Sequence, residues 1–483
     1  MSLDMRPDIS RPAYLQNEIG EQMDTLITKG VLVLPDGQKQ KDLLVRGEKI
    51  LAIDRQLNYD PARTAVVDAG GCLVFPGFID THTHFQLDNG AFVSPDDFAS
   101  GSKGAILGGT TTILDFATQN RGASLARGLA DWHGMAEGKT SCDYGFHMAI
   151  SEWNTEVSRE IGEMAAEGVT SFKVYMAYDQ LRLTDREIYE ILLRIGETGG
   201  ILGCHCENGD LINSLTKGLR MQGKTGAGSH PLAHPPEVEE EAVNRYLTIA
   251  KLAEAPANIV HLSTARSMAL AEEARSCGQE VYVETCPQYL LLDESRYGLP
   301  AALSAVCVLS PPLRSIADQE ALWRAVQKGG VDTIGTDHCS FNLAGQKDKN
   351  LHDFAAIPNG IPGVEHRPAL IYTYGVAAGR ILPETMARLL AENPARLFGL
   401  YPRKGVLATG SDADIVIWDP AKKGFITAEK QAHNVDNTPY EGFPVTGGVR
   451  QVYLRGKLVA DNDILVKAGE GQYLRRGPYQ PFR

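Results

Sequence analysis

The chain has 483 residues, 43% of them hydrophobic and 22% charged, with a formal net charge of −13. That length buries a large core in more than one domain, and the composition is ordinary for a globular protein. The acidic balance argues against broad electrostatic binding to nucleic acid or anionic membrane surfaces, and leaves a small substrate open.

Residues 1–23 carry acidic side chains and no apolar segment, so they read as an N-terminal extension rather than a signal peptide. No stretch approaches the roughly 18 apolar residues of a membrane span. Eight cysteines, several in apolar runs such as "AVCVLS", fit buried thiols in a reducing compartment, which makes the cytoplasm the expected location.

Residues 24–75 hold short strand-like pieces broken by glycines, "DTLITKGVLVL", "KDLLVRGEKILAI" and "TAVVDAGGCLVFP". Residues 405–465 mirror them with "DADIVIWDP" and "VRQVYLRGKLVADND". Neither fragment buries a full apolar face alone, so the two chain ends are expected to complete one small β-sandwich. A tail follows over 466–483, where Tyr473 and Phe482 suggest packing against a neighbouring subunit.

Between these fragments, over 76–404, short apolar strands alternate with amphipathic stretches. "LVFPGFIDTHTH" precedes a helical region from about 95, "TTTILDFA" precedes 122–137, "YGFHMAI" precedes 152–167 and "TSFKVYMAY" precedes 184–198. Thr184 and Glu187 form a capping box ahead of the stripe Ile188, Ile191, Leu192 and Ile195. Repeated strand–helix units predict an α/β fold, a (β/α)8 TIM-like barrel, with an open doubly wound sheet as the competing layout.

The polar residues at the strand ends favour the barrel. His82 and His84 stand two apart, so on a strand both imidazoles face one side. His205, His261 and Asp337 close later β-rich segments, and in a barrel such ends gather at one mouth. Each alone is equally well a core or capping residue; as a set they point to a metal site. Lys173 occupies the same position inside an apolar strand, where an ammonium is costly. It either pairs with an acidic residue, or its neutral amine captures carbon dioxide as a carbamate able to bridge two ions. Imidazole and oxygen donors suit Zn²⁺, with Mn²⁺ or Co²⁺ as alternatives. Cys204 and Cys206 flank His205 and would face away from it, as buried thiols.

The stretches "PGFIDTHTHFQL", "GGTTTILDFA", "FKVYMAY", "HCENGD", "VHLST", "VETCPQYLLLD", "SPPLR", "GTDHC", "IPNGIPGVEHR", "NPARLFGLYPRKG" and "GSDADIVIWDP" run through nearly the whole chain. Together they resemble the dihydropyrimidinase/D-hydantoinase branch of the amidohydrolase superfamily. The resemblance implies hydrolysis of a cyclic amide, a 5,6-dihydropyrimidine or a 5-substituted hydantoin, to an N-carbamoyl amino acid. It implies one metal at His82, His84 and Asp337, another at His205 and His261, and carbamylated Lys173 between them. It gives Asp337 the proton-transfer role and Tyr178 a hydrogen bond to the oxyanion. It has main-chain groups of Ser310 and Asn359 read the ring edge. It also implies a homotetramer in which such a tail packs against a neighbouring subunit. Apart from the resemblance, His338 is a candidate supporting residue by its place beside Asp337, although adjacent residues on a strand point to opposite faces.

One departure stands out. Relatives carry an apolar, aromatic-bearing loop after the HxH strand, where this chain has Asp88, Asn89 and Gly90. Asp88 either meets a polar substituent or sits in a solvated turn. An allantoinase-like hydrolase of another cyclic ureide and a non-catalytic scaffold relative are the alternative readings.

Overall fold

The computed structural model describes residues 23–483. The extension expected at the N-terminus therefore lies outside the described residues, apart from Met23. Eight parallel strands form one sheet in sequential order: β1 (Phe78–Thr83), β2 (Thr110–Thr118), β3 (Asp143–Ala149), β4 (Ser171–Tyr175), β5 (Ile201–His205), β6 (Ala257–Ile259), β7 (Val281–Thr285) and β8 (Thr333–Ile334). The short β8 leaves the ladder nearly closed. A parallel bridge between Thr83 and His338 completes the circuit, with His84 N donating to His338 O at 2.8 Å. A doubly wound sheet would reverse its strand order part-way; here sequential order and closure make a barrel.

The barrel helices follow from local signals. Asp97 caps Phe98–Leu107, Ser124 caps Leu125–Ala136, and Asn154 caps Thr155–Ala166 through its side-chain oxygen. The Thr184–Glu187 capping box forms as expected at the start of Asp185–Gly196, whose stripe Ile188, Ile191, Leu192 and Ile195 is buried against the barrel.

The sandwich is built from both chain ends. Ile415–Phe425 pairs antiparallel with Leu73–Pro76 in register Ile415↔Pro76 to Trp418↔Leu73, inside a seven-stranded sheet that also holds Val31–Leu34 and Pro444–Leu454. A four-stranded sheet carries Asp24–Thr28. The run "DTLITKGVLVL" thus supplies one strand to each layer, turning at Lys29–Gly30. Ile27, Leu43, Val74, Ile415 and Ile417 fill the space between the layers.

The tail packs on its own chain. Tyr473 packs on Tyr144, Phe146 and His133, and Phe482 on Tyr282 at 5.1 Å, all within the same chain. Leu474 is fully buried and Arg476 nearly so. These residues run beneath the barrel of their own chain, and Tyr473 and Phe482 remain partly exposed there. No helix among the described residues is long and apolar enough to cross a membrane.

Candidate metal centre

The C-terminal ends of the strands bring every nominated ligand to one mouth. His82 lies within β1 and His84 just beyond it; their ring centroids are 5.2 Å apart. Asp337, three residues past β8, places Oδ1 3.2 Å from His82 Nε2 and 3.3 Å from His84 Nε2. The donor atoms of these three residues lie within 4.8 Å of one another. His205 ends β5 and His261 follows β6, with Nδ1 of the first 2.9 Å from Nε2 of the second. The two groups abut, since the rings of His82 and His261 are 5.4 Å apart.

Lys173 sits in the middle of β4, its main chain in register with Ala149 and Gly203. The residue is 2% exposed, and its Nζ donates to His82 Nε2 at 2.9 Å. Its other close neighbours are the ring faces of Phe116 and Tyr175. It makes no ion pair among the described residues. The acidic partner that would have made Lys173 an ordinary buried cation is absent there. Burial pushes its amine down to about 8, although Asp337 and Glu284 pull the other way.

Carboxylates orient two of the histidines, His82 and His205. Glu284, at the end of β7, accepts from His82 Nδ1 at 2.6 Å, from Thr81 Oγ1 at 2.6 Å and from His261 N at 3.3 Å. That leaves His82 Nε2 to face Lys173 and Asp337. Glu207 accepts from His205 Nε2 at 3.0 Å and from His234 Nδ1 at 2.9 Å, leaving His205 Nδ1 for the centre. Burial, reinforced by neighbouring positive groups, pushes His82 and His261 well below the usual imidazole range, with Asp337 opposing at His82. Burial alone would raise Asp337, but His82 and His84 outweigh it and hold the carboxyl well below its ordinary value. Imidazoles with carboxylate partners on their outer nitrogens, beside an ionised aspartate, make a donor set that fits a divalent cation.

Three of the site residues are held in left-handed backbone: Tyr178 at φ 66°, His261 at 40° and Asp337 at 53°. Each costs on the order of 1–3 kcal/mol, and such outliers concentrate where function fixes a side chain. Tyr178 follows β4, 38% exposed at the mouth, its ring 5.1 Å from that of His205. Ser310 and Asn359 lie close enough to its phenol to favour the ionised form, and Asn359 Nδ2 donates to Ser310 Oγ at 3.0 Å. The three residues expected to touch substrate are therefore mutual neighbours.

His338 points away from this group. Its Nε2 donates to Asp96 at 3.1 Å, and its Nδ1 accepts from the main chain of Gly363 and Val364. Its support for the centre runs through its main chain alone. Asp88 takes the turn reading: its side chain accepts from Gly90 N at 2.8 Å in an exposed hairpin tip. Cys204 and Cys206 are buried free thiols, as expected from their positions beside His205.

Glu207 and Glu284 received no role from the sequence, yet both were marked there. Glu284 is a carboxylate closing the apolar run "VYVE", the same anomaly that singled out Lys173. Glu207 stands two residues after His205. Glu284→Gln, which keeps size and removes charge, is expected to weaken metal binding about 10- to 100-fold. Titration of the metal-stripped variant with Zn²⁺ reads this, and unchanged affinity would refute the orienting role.

Residues 73–459 match the amidohydrolase family. The D-hydantoinase of Geobacillus stearothermophilus is 43% identical over 460 residues, covering 95% of this chain and 97% of its own. The D-phenylhydantoinase of Escherichia coli O81 (strain ED1a) is 41% identical over 465 residues, covering 95% and 99%. The crystal structure of dihydropyrimidinase from Brevibacillus agri NCHU1002 matches with a TM-score of 0.93 at 40% identity, covering 95% of this chain and all of that one. Similarity of this extent, over a barrel whose mouth gathers a metal-binding cluster, means that the chain belongs to the dihydropyrimidinase/hydantoinase family of amidohydrolases, metal-dependent enzymes that hydrolyse cyclic amides.

Proposed function

We propose that the chain opens 5,6-dihydropyrimidines or 5-substituted hydantoins to N-carbamoyl amino acids, using two divalent ions, Zn²⁺ ahead of Mn²⁺ or Co²⁺. His82, His84 and Asp337 would hold one ion and His205 and His261 the other, with Lys173 as a carbamate between them. The observation that carries this is the convergence of five ligand-competent groups around one buried lysine that lacks an ion-pair partner among the described residues. Two bound ions would supply Lewis-acid polarisation of the ring carbonyl and a hydroxide nucleophile at neutral pH.

The chain's own residues account for the rest. Asp337, ionised throughout the working range, takes the proton released as water adds to the carbonyl and hands it to the ring nitrogen when the C–N bond breaks. Burial and Glu207 raise the Tyr178 phenol above its ordinary value, with Ser310 and Asn359 opposing. It thus stays protonated and can donate to the developing oxyanion. Main-chain groups of Ser310 and Asn359 would fix the ring edge. The placing of Tyr178 supports this assignment: it stands in left-handed backbone after β4, with its ring 5.1 Å from that of His205. A homotetramer belongs to the same proposal, resting on the family resemblance.

A rate comparison with metal-loaded enzyme tests the ring assignment, using dihydrouracil, dihydrothymine, hydantoin, an aromatic 5-substituted hydantoin and allantoin. Turnover of the first four classes above allantoin is expected. Exclusive turnover of allantoin would overturn the substrate class and leave the metal chemistry standing.

A further inference from the structure

Lys347 lies outside the metal-ligand set and is fully buried. Its ammonium donates to two main-chain carbonyls, Val308 O at 2.9 Å and Pro358 O at 3.1 Å, and it has no carboxylate partner among the described residues. Val308 lies two residues before Ser310, and Pro358 immediately precedes Asn359. The same two segments are joined by Gly360 N donating to Val308 O at 3.0 Å and by the Asn359–Ser310 hydrogen bond. We propose that Lys347 is a positioning residue for ring recognition, clamping the two segments so that Ser310 and Asn359 present their main-chain groups to one ring edge in fixed register. The inference rests on the ring-reading role given above to Ser310 and Asn359.

The surroundings suit a fixed anchor. Gln346 Nε2 donates to Val93 O at 2.9 Å, and its Oε1 accepts from Asn342 N at 2.7 Å. The Lys349 ammonium lies 5.5 Å from the Phe92 ring. The turn carrying Lys347 therefore also holds the 87–94 hairpin. An unpaired ammonium in such a place is expensive; burial pushes it down to about 7. A methionine of similar length would fill the volume without that cost, so packing does not explain the charge. Three directed donors on one nitrogen, able to hold two carbonyls at once, do explain it.

The test is steady-state kinetics of metal-loaded Lys347→Met with hydantoin and with hydantoin methylated on its imide nitrogen, alongside metal content. The wild type is expected to prefer the unmethylated ring. Lys347→Met is expected to raise KM for that ring about tenfold, to change kcat less than about threefold, and to shrink the preference by a similar factor at full metal content. Wild-type KM and preference in the folded variant would overturn the inference, as would a fall in kcat alone or in step with lost metal. If Lys347→Met does not fold, Lys347→Gln keeps a donor for one carbonyl and is expected to give intermediate values; wild-type values there would equally refute it. A wild type indifferent to methylation would overturn the Ser310 and Asn359 reading and this inference with it. A wild type that discriminates, beside a Lys347→Met that discriminates equally, would overturn this inference alone.

Discussion

Lys173→Ala is expected to lose bound metal and activity together, with kcat/KM falling by at least about 10³-fold. The side chain is buried at the centre of β4, donates only to His82 Nε2 and has no ion-pair partner among the described residues. As a cation it would repel divalent ions; as a carbamate it supplies the anion that the His82–His84–Asp337 and His205–His261 groups otherwise lack between them. An amine pushed down to about 8 is neutral in roughly one molecule in ten at pH 7, against about one in 3,000 for an ordinary lysine. Only the neutral form attacks carbon dioxide. Carbamate formation in the stripped enzyme should therefore speed up as pH rises through about 8 and slow down below it.

Two controls separate this role from packing. Lys173→Met matches the volume and removes the costly charge, so it should fold at least as stably as the wild type while binding no bridging metal. Acetate or propionate added to Lys173→Ala should restore part of the metal and the rate, because a free carboxylate can occupy the vacated space. Metal counted by mass spectrometry is the deciding measurement. About two ions per chain with near-wild-type turnover in Lys173→Ala would refute the bridging role.

The same logic shows what a sequence reveals about such a site. Lys173 was legible because a charge inside "SFKVY" contradicts its surroundings, and His82 and His84 because a two-residue spacing has one meaning on a strand. Thr184 and Glu187 marked a helix start because capping is local chemistry. Glu284 and Glu207 went unassigned because the fold sets their partners: the barrel interior brings Glu284 on β7 to the His82 side chain on β1 and to His261 after β6, and it brings Glu207 to His234. Lys347 was illegible for a stronger reason. It stands in "AGQKDKN", a polar stretch whose composition reads as a solvated turn, and only the fold buries its ammonium. The tail is a partial case: Tyr473 and Phe482 announce a contact, but nothing local says that one surface they meet is the barrel of their own chain.

The second large effect falls on Asp337. Asp337→Asn is expected to lower kcat about 10²- to 10⁴-fold, the range of one positioned acid–base group, with KM changed only a fewfold. Asparagine keeps the size of the side chain and an oxygen able to face His82 and His84, but it cannot accept and return a proton. It also tolerates left-handed backbone, so φ 53° at this position adds no new strain, whereas alanine would meet that strain without the polar side chain that eases it. The His205–His261 pair is untouched by the change, and at least one ion per chain should remain. The loss should be smallest for rings whose departing nitrogen is stabilised by electron withdrawal, because such a leaving group needs less help from a proton donor. Full turnover in a metal-replete Asp337→Asn enzyme would rule out the carboxylate as proton carrier. A uniform loss across leaving groups would confine its role to the attack step, where water first gives up its proton.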